Sequence, residues 1–287
     1  MSIRSFFHKL KMVFVRAGEQ SIPNIDEAKR FGNDGEDKFE DMLKHELSSC
    51  KIKRNVVITT QEGNAEIDCI ILYNNKLFAI EIKRWKGHLT EQNDGFLQEK
   101  TDKWTEETHT KLLKSPFKQL GRSIHLLRKQ IPIKVWVNSV VFFEDSKFKS
   151  ITTSSDNVWF DKYQDLVNYI KNDGKASCDK NANDFIDKCI PADYLSNDKW
   201  EKSLYCVIDR NSLQFKTPQG IISADNMSSI QILHHLSYDE LHITMIDSSV
   251  KTITLENAKI QVSENGITNT YALCKLDYIK LGKTLYL

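Results

Sequence analysis

EIDCIILYNNKLFAIEIK, residues 66–83, is the stretch whose reading decides the fold. Asn74 and Asn75 separate two runs rich in β-branched and aromatic residues, and adjacent asparagines tolerate the positive φ of a tight hairpin turn. A symmetric turn sets Leu72 opposite Leu77, Ile70 opposite Ala79, Asp68 opposite Glu81 and Glu66 opposite Lys83, all on one side of the ribbon. Ile67, Cys69, Ile71, Phe78, Ile80 and Ile82 make the other side, which is wholly apolar. Directly opposed residues have Cβ atoms about 5 Å apart, where like charges are destabilising.

Asp68 and Glu81 therefore need a proton or a cation between them, and at neutral pH a hard divalent cation bound by carboxylate oxygens meets the need. Magnesium suits a site of one or two protein carboxylates, because waters and substrate phosphates complete its octahedron; manganese is the alternative ion. Lys83 follows Glu81 on the same face, and two acids with an ammonium suit phosphodiester hydrolysis. The E-x-K pattern alone does not single out this site, since Glu27-Ala28-Lys29 and Glu36-Asp37-Lys38 share it. Only Glu81-Ile82-Lys83 lies on an apolar-flanked strand opposite an aspartate. The competing reading is a solvated hairpin end with an ordinary Glu66–Lys83 ion pair.

Outward from the hairpin, residues 34–48 read as a helix with Asp34 as N-cap and an apolar stripe of Phe39, Met42, Leu43 and Leu47, which Glu36 extends by one turn. A strand is expected over 55–60. Residues 84–114, polar and poor in apolar anchors, read as a mobile insertion with some helix, placed to touch substrate. Ser115-Pro116 starts a helix whose buried face is Phe117, Leu120, Ile124, Leu127 and Ile131. The run 135–143 reads as a buried central strand, with short β pieces near Ile151 and Val158 and a helix over 161–170. These readings divide the chain into an N-terminal arm or helix (1–30), an α/β domain (31–172), a connector with little core (173–200) and a smaller all-β domain (201–287).

The chain has 287 residues, 40% of them apolar, and a formal net charge of +1, so whole-chain charge selects no partner. Residues 1–172 hold 28 Lys and Arg against 24 Asp and Glu, net +4, whereas 201–287 hold 8 against 9, net −1, so a polyanion should prefer the first part. The six cysteines show no metal or disulfide spacing, and with no signal peptide a reducing cytoplasm is the expected location. The N-terminal apolar runs are far shorter than the roughly 20 residues that span a bilayer. The eight histidines show no ligand spacing.

Taken in order, four features resemble the nuclease-related domain (NERD) over roughly residues 32–145: Gly35-Glu36 opening a helix, Glu66-Ile67-Asp68, Glu81-Ile82-Lys83-Arg84-Trp85-Lys86-Gly87, and Pro116-Phe117-Lys118-Gln119 opening another helix. That family is similar to the PD-(D/E)XK nucleases. The resemblance implies an α/β fold with a restriction-endonuclease-like mixed sheet flanked by helices, and a magnesium-dependent nuclease acting on DNA rather than RNA, in DNA processing or antiviral defence. It implies Asp68 and Glu81 as metal carboxylates, the Ile82 carbonyl as a further ligand and Lys83 as catalytic lysine. Glu36 would reach the metal directly or through water, and Gln119 would sit beside the site. Ile67 stands where the superfamily has its proline, as an aliphatic residue commonly does in NERD-like sequences. Arg84, Trp85 and Lys86 are candidates for nucleic-acid contact, with Trp85 equally readable as a core anchor. The rival class is a non-cleaving nucleic-acid-binding or sensing protein, whose β-rich C-terminal part recruits a protein partner or a second copy.

Overall fold

The computed structural model describes residues 39–282, apart from 44, 93–94, 103, 145, 151–156, 174–178, 198–201, 219, 256–257 and 265, together with 285–286. The expected N-terminal arm, Asp34, Gly35, Glu36 and the β piece at Ile151 lie outside these residues. The described chain is α/β, mostly strands, and falls into two compact units, one within residues 27–190 and 284–287, the other within 191–283. Among the described residues no helix is long and apolar enough to cross a membrane.

In the first unit β1 (Cys50–Thr60), β2 (Gly63–Tyr73) and β3 (Lys76–Lys83) form an antiparallel meander. The β2–β3 turn places Asn74 and Asn75 at φ 48° and 57°, which suits a two-residue turn. The register follows the sequence: Leu72 pairs with Leu77, Ile70 with Ala79 and Cys69 with Ile80. β7 (Val137–Phe143) runs parallel to β3, and β9 (Val158–Phe160) parallel to β7, giving a mixed sheet in the order β1-β2-β3-β7-β9. The two-residue strands β10 (Ile190–Pro191) and β21 (Leu285–Tyr286) adjoin β1.

Each sheet face carries its own core. Helix α1 (39–46) buries Phe39 and Leu43, and with them Leu47, against Ile71, Phe78, Ile80 and Phe142. Helix α2 (Pro116–Gln130) buries Leu120, Ile124 and Leu127 against Ile70, Leu77, Ala79 and Val141 on the other face. Ser115 caps α2 by accepting the Lys118 N–H at 3.3 Å, and Pro116 follows where no N–H is needed. Ser115→Ala is expected to cost about 1 kcal/mol in urea unfolding.

Several segments differ from the pattern read in the sequence. Among the described residues of 84–114 there are strands and no helix: β4 (His88–Gln92), β5 (Gly95–Thr101) and β6 (Thr108–Lys114) join β8 (Lys147–Ser150) in a sheet of order β6-β5-β4-β8. Its apolar pattern is thin because only Leu89 and Phe96 bury fully, while β6 is almost entirely exposed. The segment expected as a connector contributes α4 (Ala182–Lys188), whose Ala182, Phe185 and Ile186 join the α2-side core. The helix expected over 161–170 is α3 (Tyr163–Asn168), continued by a π-helical turn, Tyr169–Asp173. β1 begins at Cys50, five residues before the expected start, and Ile67 packs with Ile70 and Leu72 rather than with Cys69 and Ile71.

The second unit is an eight-stranded sheet. Its strands are β11 (Asp193–Asn197), β12 (Lys202–Ile208), β15 (Met227–His234), β16 (Asp239–Met245), β17 (Val250–Leu255), β18 (Lys259–Glu264), β19 (Ile267–Ala272) and β20 (Tyr278–Lys280), in the order β17-β16-β15-β20-β11-β12-β18-β19. A hairpin of β13 (Gln214–Thr217) and β14 (Gly220–Ser223) accompanies it. Fully buried Asp193 accepts a two-pronged pair from Arg210 at 2.8 and 3.0 Å and the N–H groups of Ile208 and Gly282, so both of its oxygens have hydrogen-bond donors.

Candidate active site

The β2–β3 ladder runs as far as Cys69 and Ile80, and the chemistry begins one residue beyond it on each strand. Asp68 Oδ2 accepts the Ile82 N–H at 2.7 Å, so a carboxylate takes the place of a cross-strand carbonyl. Glu81 is only 1% exposed. Its Oε1 accepts from Lys83 Nζ at 2.5 Å and from Gln119 Nε2 at 2.6 Å. Its Oε2 is buried with no hydrogen-bond partner among the described residues.

These side chains come from strands β2 and β3 and from helix α2. Glu81 and Lys83 share the central strand β3, which β2 and β7 hold on either side. Gln119 comes from the first turn of α2, placed by the Ser115 cap and the packing of Leu120. The sequence-predicted residues thus fall in two hydrogen-bonded sets, Asp68 with the Ile82 N–H and Glu81 with Lys83 and Gln119, joined through the Glu81–Ile82 peptide. Glu36 lies outside the described residues.

The electrostatics follow from this crowding. Burial pushes the Glu81 carboxyl up to about 7; the charge of Asp68 adds to the rise and Lys83 opposes it. Burial also raises Asp68 above the ordinary aspartate range, against the pull of Lys83, the Ile82 N–H and Arg54. Both acids therefore hold protons more tightly than in water, as two carboxylates in one confined space must. Among the described residues no group of three or more His, Cys, Asp or Glu side chains is placed to hold a metal ion. A cation at Asp68 and Glu81 would draw on backbone oxygen and water for its remaining ligands.

The run after Lys83 divides in three directions. Arg84 makes an ion pair with the buried Glu144 at 3.0 Å. Trp85 packs against Phe96 and Phe143, with ring centroids 5.6 and 5.8 Å away. Lys86 is exposed, and its carbonyl accepts from Gln98 Nε2 at 2.6 Å. Sequence reasoning missed Arg54, which acts on Asp68 electrostatically and pairs with Glu40 of α1 at 2.9 Å. No spacing signal marked it, because the contact joins a strand to a helix across the sheet face.

Fold and site together define an α/β domain of mixed sheet with an aspartate–glutamate–lysine centre at the open end of a central strand pair. Residues 31–144 match the family model of the nuclease-related domain. No curated protein and no solved structure matches the chain.

Proposed function

We propose that the first unit is a nuclease of restriction-endonuclease-like arrangement, hydrolysing phosphodiester bonds with a divalent cation, magnesium or manganese, and acting on DNA in preference to RNA. The observation that carries the reading is Glu81 Oε2: a buried carboxylate oxygen with no partner among the described residues, beside a second acid. Such an atom is costly unless something positive completes it. The donor set fits a hard cation, with Asp68, Glu81 and the Ile82 carbonyl as ligands and Glu36 as a further candidate. When bound, the ion would lower the pKa of a water and offset charge at the phosphorus.

The chain's own residues do the rest. Gln119 and Lys83 both hold Oε1, which fixes the Glu81 carboxylate and leaves Oε2 as its available oxygen. Lys83 Nζ, anchored on Glu81, can orient the attacking water or take part in its deprotonation. The Ile82 N–H keeps one Asp68 oxygen in place. DNA preference follows from the family resemblance.

A second feature supports nucleic acid as substrate. The β5–β6 register puts Lys100, His109 and Lys111 on one face of the hairpin, and Trp104 at its tip is 94% exposed. Stacking of one base on an aromatic side chain contributes about 1–3 kcal/mol. Trp104→Ala is therefore expected to weaken binding of a fluorescent single strand about tenfold, read by anisotropy in calcium. The activity itself is tested by incubating the protein with plasmid, linear duplex and RNA in magnesium, manganese or EDTA, beside Asp68→Asn and Lys83→Ala. Identical products from wild type and both variants would overturn the assignment.

A further inference from the structure

On a regular strand alternate residues share a face. β1 obeys this from Cys50 to Ile52, both buried on the α1 side with Phe39 and Leu43. Val56 and Ile58 have the same parity, yet they bury on the opposite side with Leu120 and Ile124. β2 does likewise, with Ile71 and Cys69 on the α1 side and Ile67 on the α2 side. Both reversals bracket the position at which the β1–β2 pairing skips: Arg54 pairs with Cys69 and Val56 with Ile67, with no pair between them. The residues standing at that skip are Asn55 and Asp68.

Asn55 has φ 49°, and among the described residues it is the one non-glycine with positive φ inside a strand. Glycine and asparagine bear this conformation readily; other residues, above all β-branched ones, do not. The amide does not explain the choice of residue, because Asn55 is 4% exposed and its Oδ1 has no hydrogen-bond partner among the described residues. What the position requires is the backbone.

We infer that Asn55 is a positioning residue for Asp68: its left-handed backbone turns both strands over at the point where Asp68 leaves the β2–β3 ladder and takes the Ile82 N–H. The functional weight of this inference rests on the nuclease reading, whereas its geometric content stands without it. A residue at 55 that prefers extended backbone would restore simple alternation, and Asp68 would no longer be presented beside Glu81.

Asn55→Gly, Asn55→Ala and Asn55→Val in the full chain test it, with two readouts: kcat and KM for DNA cleavage, and the chemical shift and exchange rate of the Ile82 amide proton, with Asp68→Ala as reference. The glycine variant is expected to keep the wild-type amide signature and a kcat within about threefold of wild type, since it retains the backbone freedom. The valine variant is expected to lose kcat on the order of 100-fold at little changed KM, as misplacement by about an ångström does, with the Ile82 amide moving to the Asp68→Ala position. Alanine falls between them, and if the valine variant does not fold, the glycine-above-alanine order decides. A folded valine variant with wild-type amide and kcat, or a glycine variant as damaged as valine, overturns the inference. A wild type that never cleaves, but whose Ile82 amide responds as described, sinks the nuclease reading and leaves the positioning role standing.

Discussion

Asp68→Asn and Lys83→Ala are each expected to lower DNA cleavage on the order of 10³-fold while leaving the fold intact. Asparagine preserves the shape of Asp68 and an oxygen for the Ile82 N–H, so the 2.7 Å contact can persist while the charge is lost. A cation would then have one ionised carboxylate in place of two, which weakens its hold and its effect on a bound water. Lys83→Ala removes the ammonium that holds Glu81 Oε1, leaving Gln119 as its remaining neighbour there. Initial rates at saturating DNA across a magnesium titration check both. The aspartate variant should need more magnesium, whereas the lysine variant should stay slow even when magnesium saturates. Cleavage unchanged in either would remove that residue from the chemistry.

Glu81→Gln is expected to change how stability depends on pH. The folded protein raises Glu81 from 4.5 to about 7, so the folded state binds its proton more tightly than the unfolded chain does. The stability from this group is fully present below pH 4.5 and is lost as pH rises through about 7. A shift of that size corresponds to about 3 kcal/mol. Asp68, also raised, acts in the same direction. Wild type without divalent cation should thus weaken by about 3 kcal/mol between the two pH limits on account of Glu81, and the glutamine variant should lack that part of the fall. Magnesium should restore wild type at pH 8 by binding the ionised form, and should do less for the variant. Urea unfolding at several pH values with EDTA or magnesium measures all four arms. Parallel pH profiles for the two proteins would sink the account. Cleavage at limiting magnesium should likewise rise with pH, with a midpoint that falls as magnesium increases, because proton and cation compete for the same carboxylate.

The stability lost at neutral pH is the other side of the proposed function. An acid covered by α2 and left with one oxygen unpartnered among the described residues is a poor structural element and suits a cation. Asp193 in the second unit shows the alternative, since Arg210 and the backbone N–H groups of Ile208 and Gly282 satisfy a carboxylate equally buried.

Much of the site was legible before folding because its geometry is local. Asn74 and Asn75 demand a tight turn, the turn sets the register, and the register holds as far as Cys69 and Ile80, one residue short of Asp68 and Glu81 on each strand. Helix α2 was legible too, from Ser115-Pro116 and the spacing of Leu120, Ile124 and Leu127. What escaped depends on contacts remote in sequence. The β4–β6 segment carries few apolar residues, and its strands are held by pairing with each other and with β8 rather than by a visible pattern of their own. Phe185 and Ile186 of α4 looked like part of a polar connector until the core they join was seen. The left-handed Asn55 interrupts the alternation on β1 and disguises its first half, from Cys50 onward.

By itself the sequence determined the hairpin, its register and the identity of the charged groups at its end, since turn preference and two-residue periodicity act between neighbours. Only the tertiary structure decided that Glu81 is sealed under α2, that Gln119 reaches it, and that the strands turn over at Asp68. Desolvation and hydrogen-bond satisfaction belong to everything surrounding a group, and those surroundings exist once distant segments have packed.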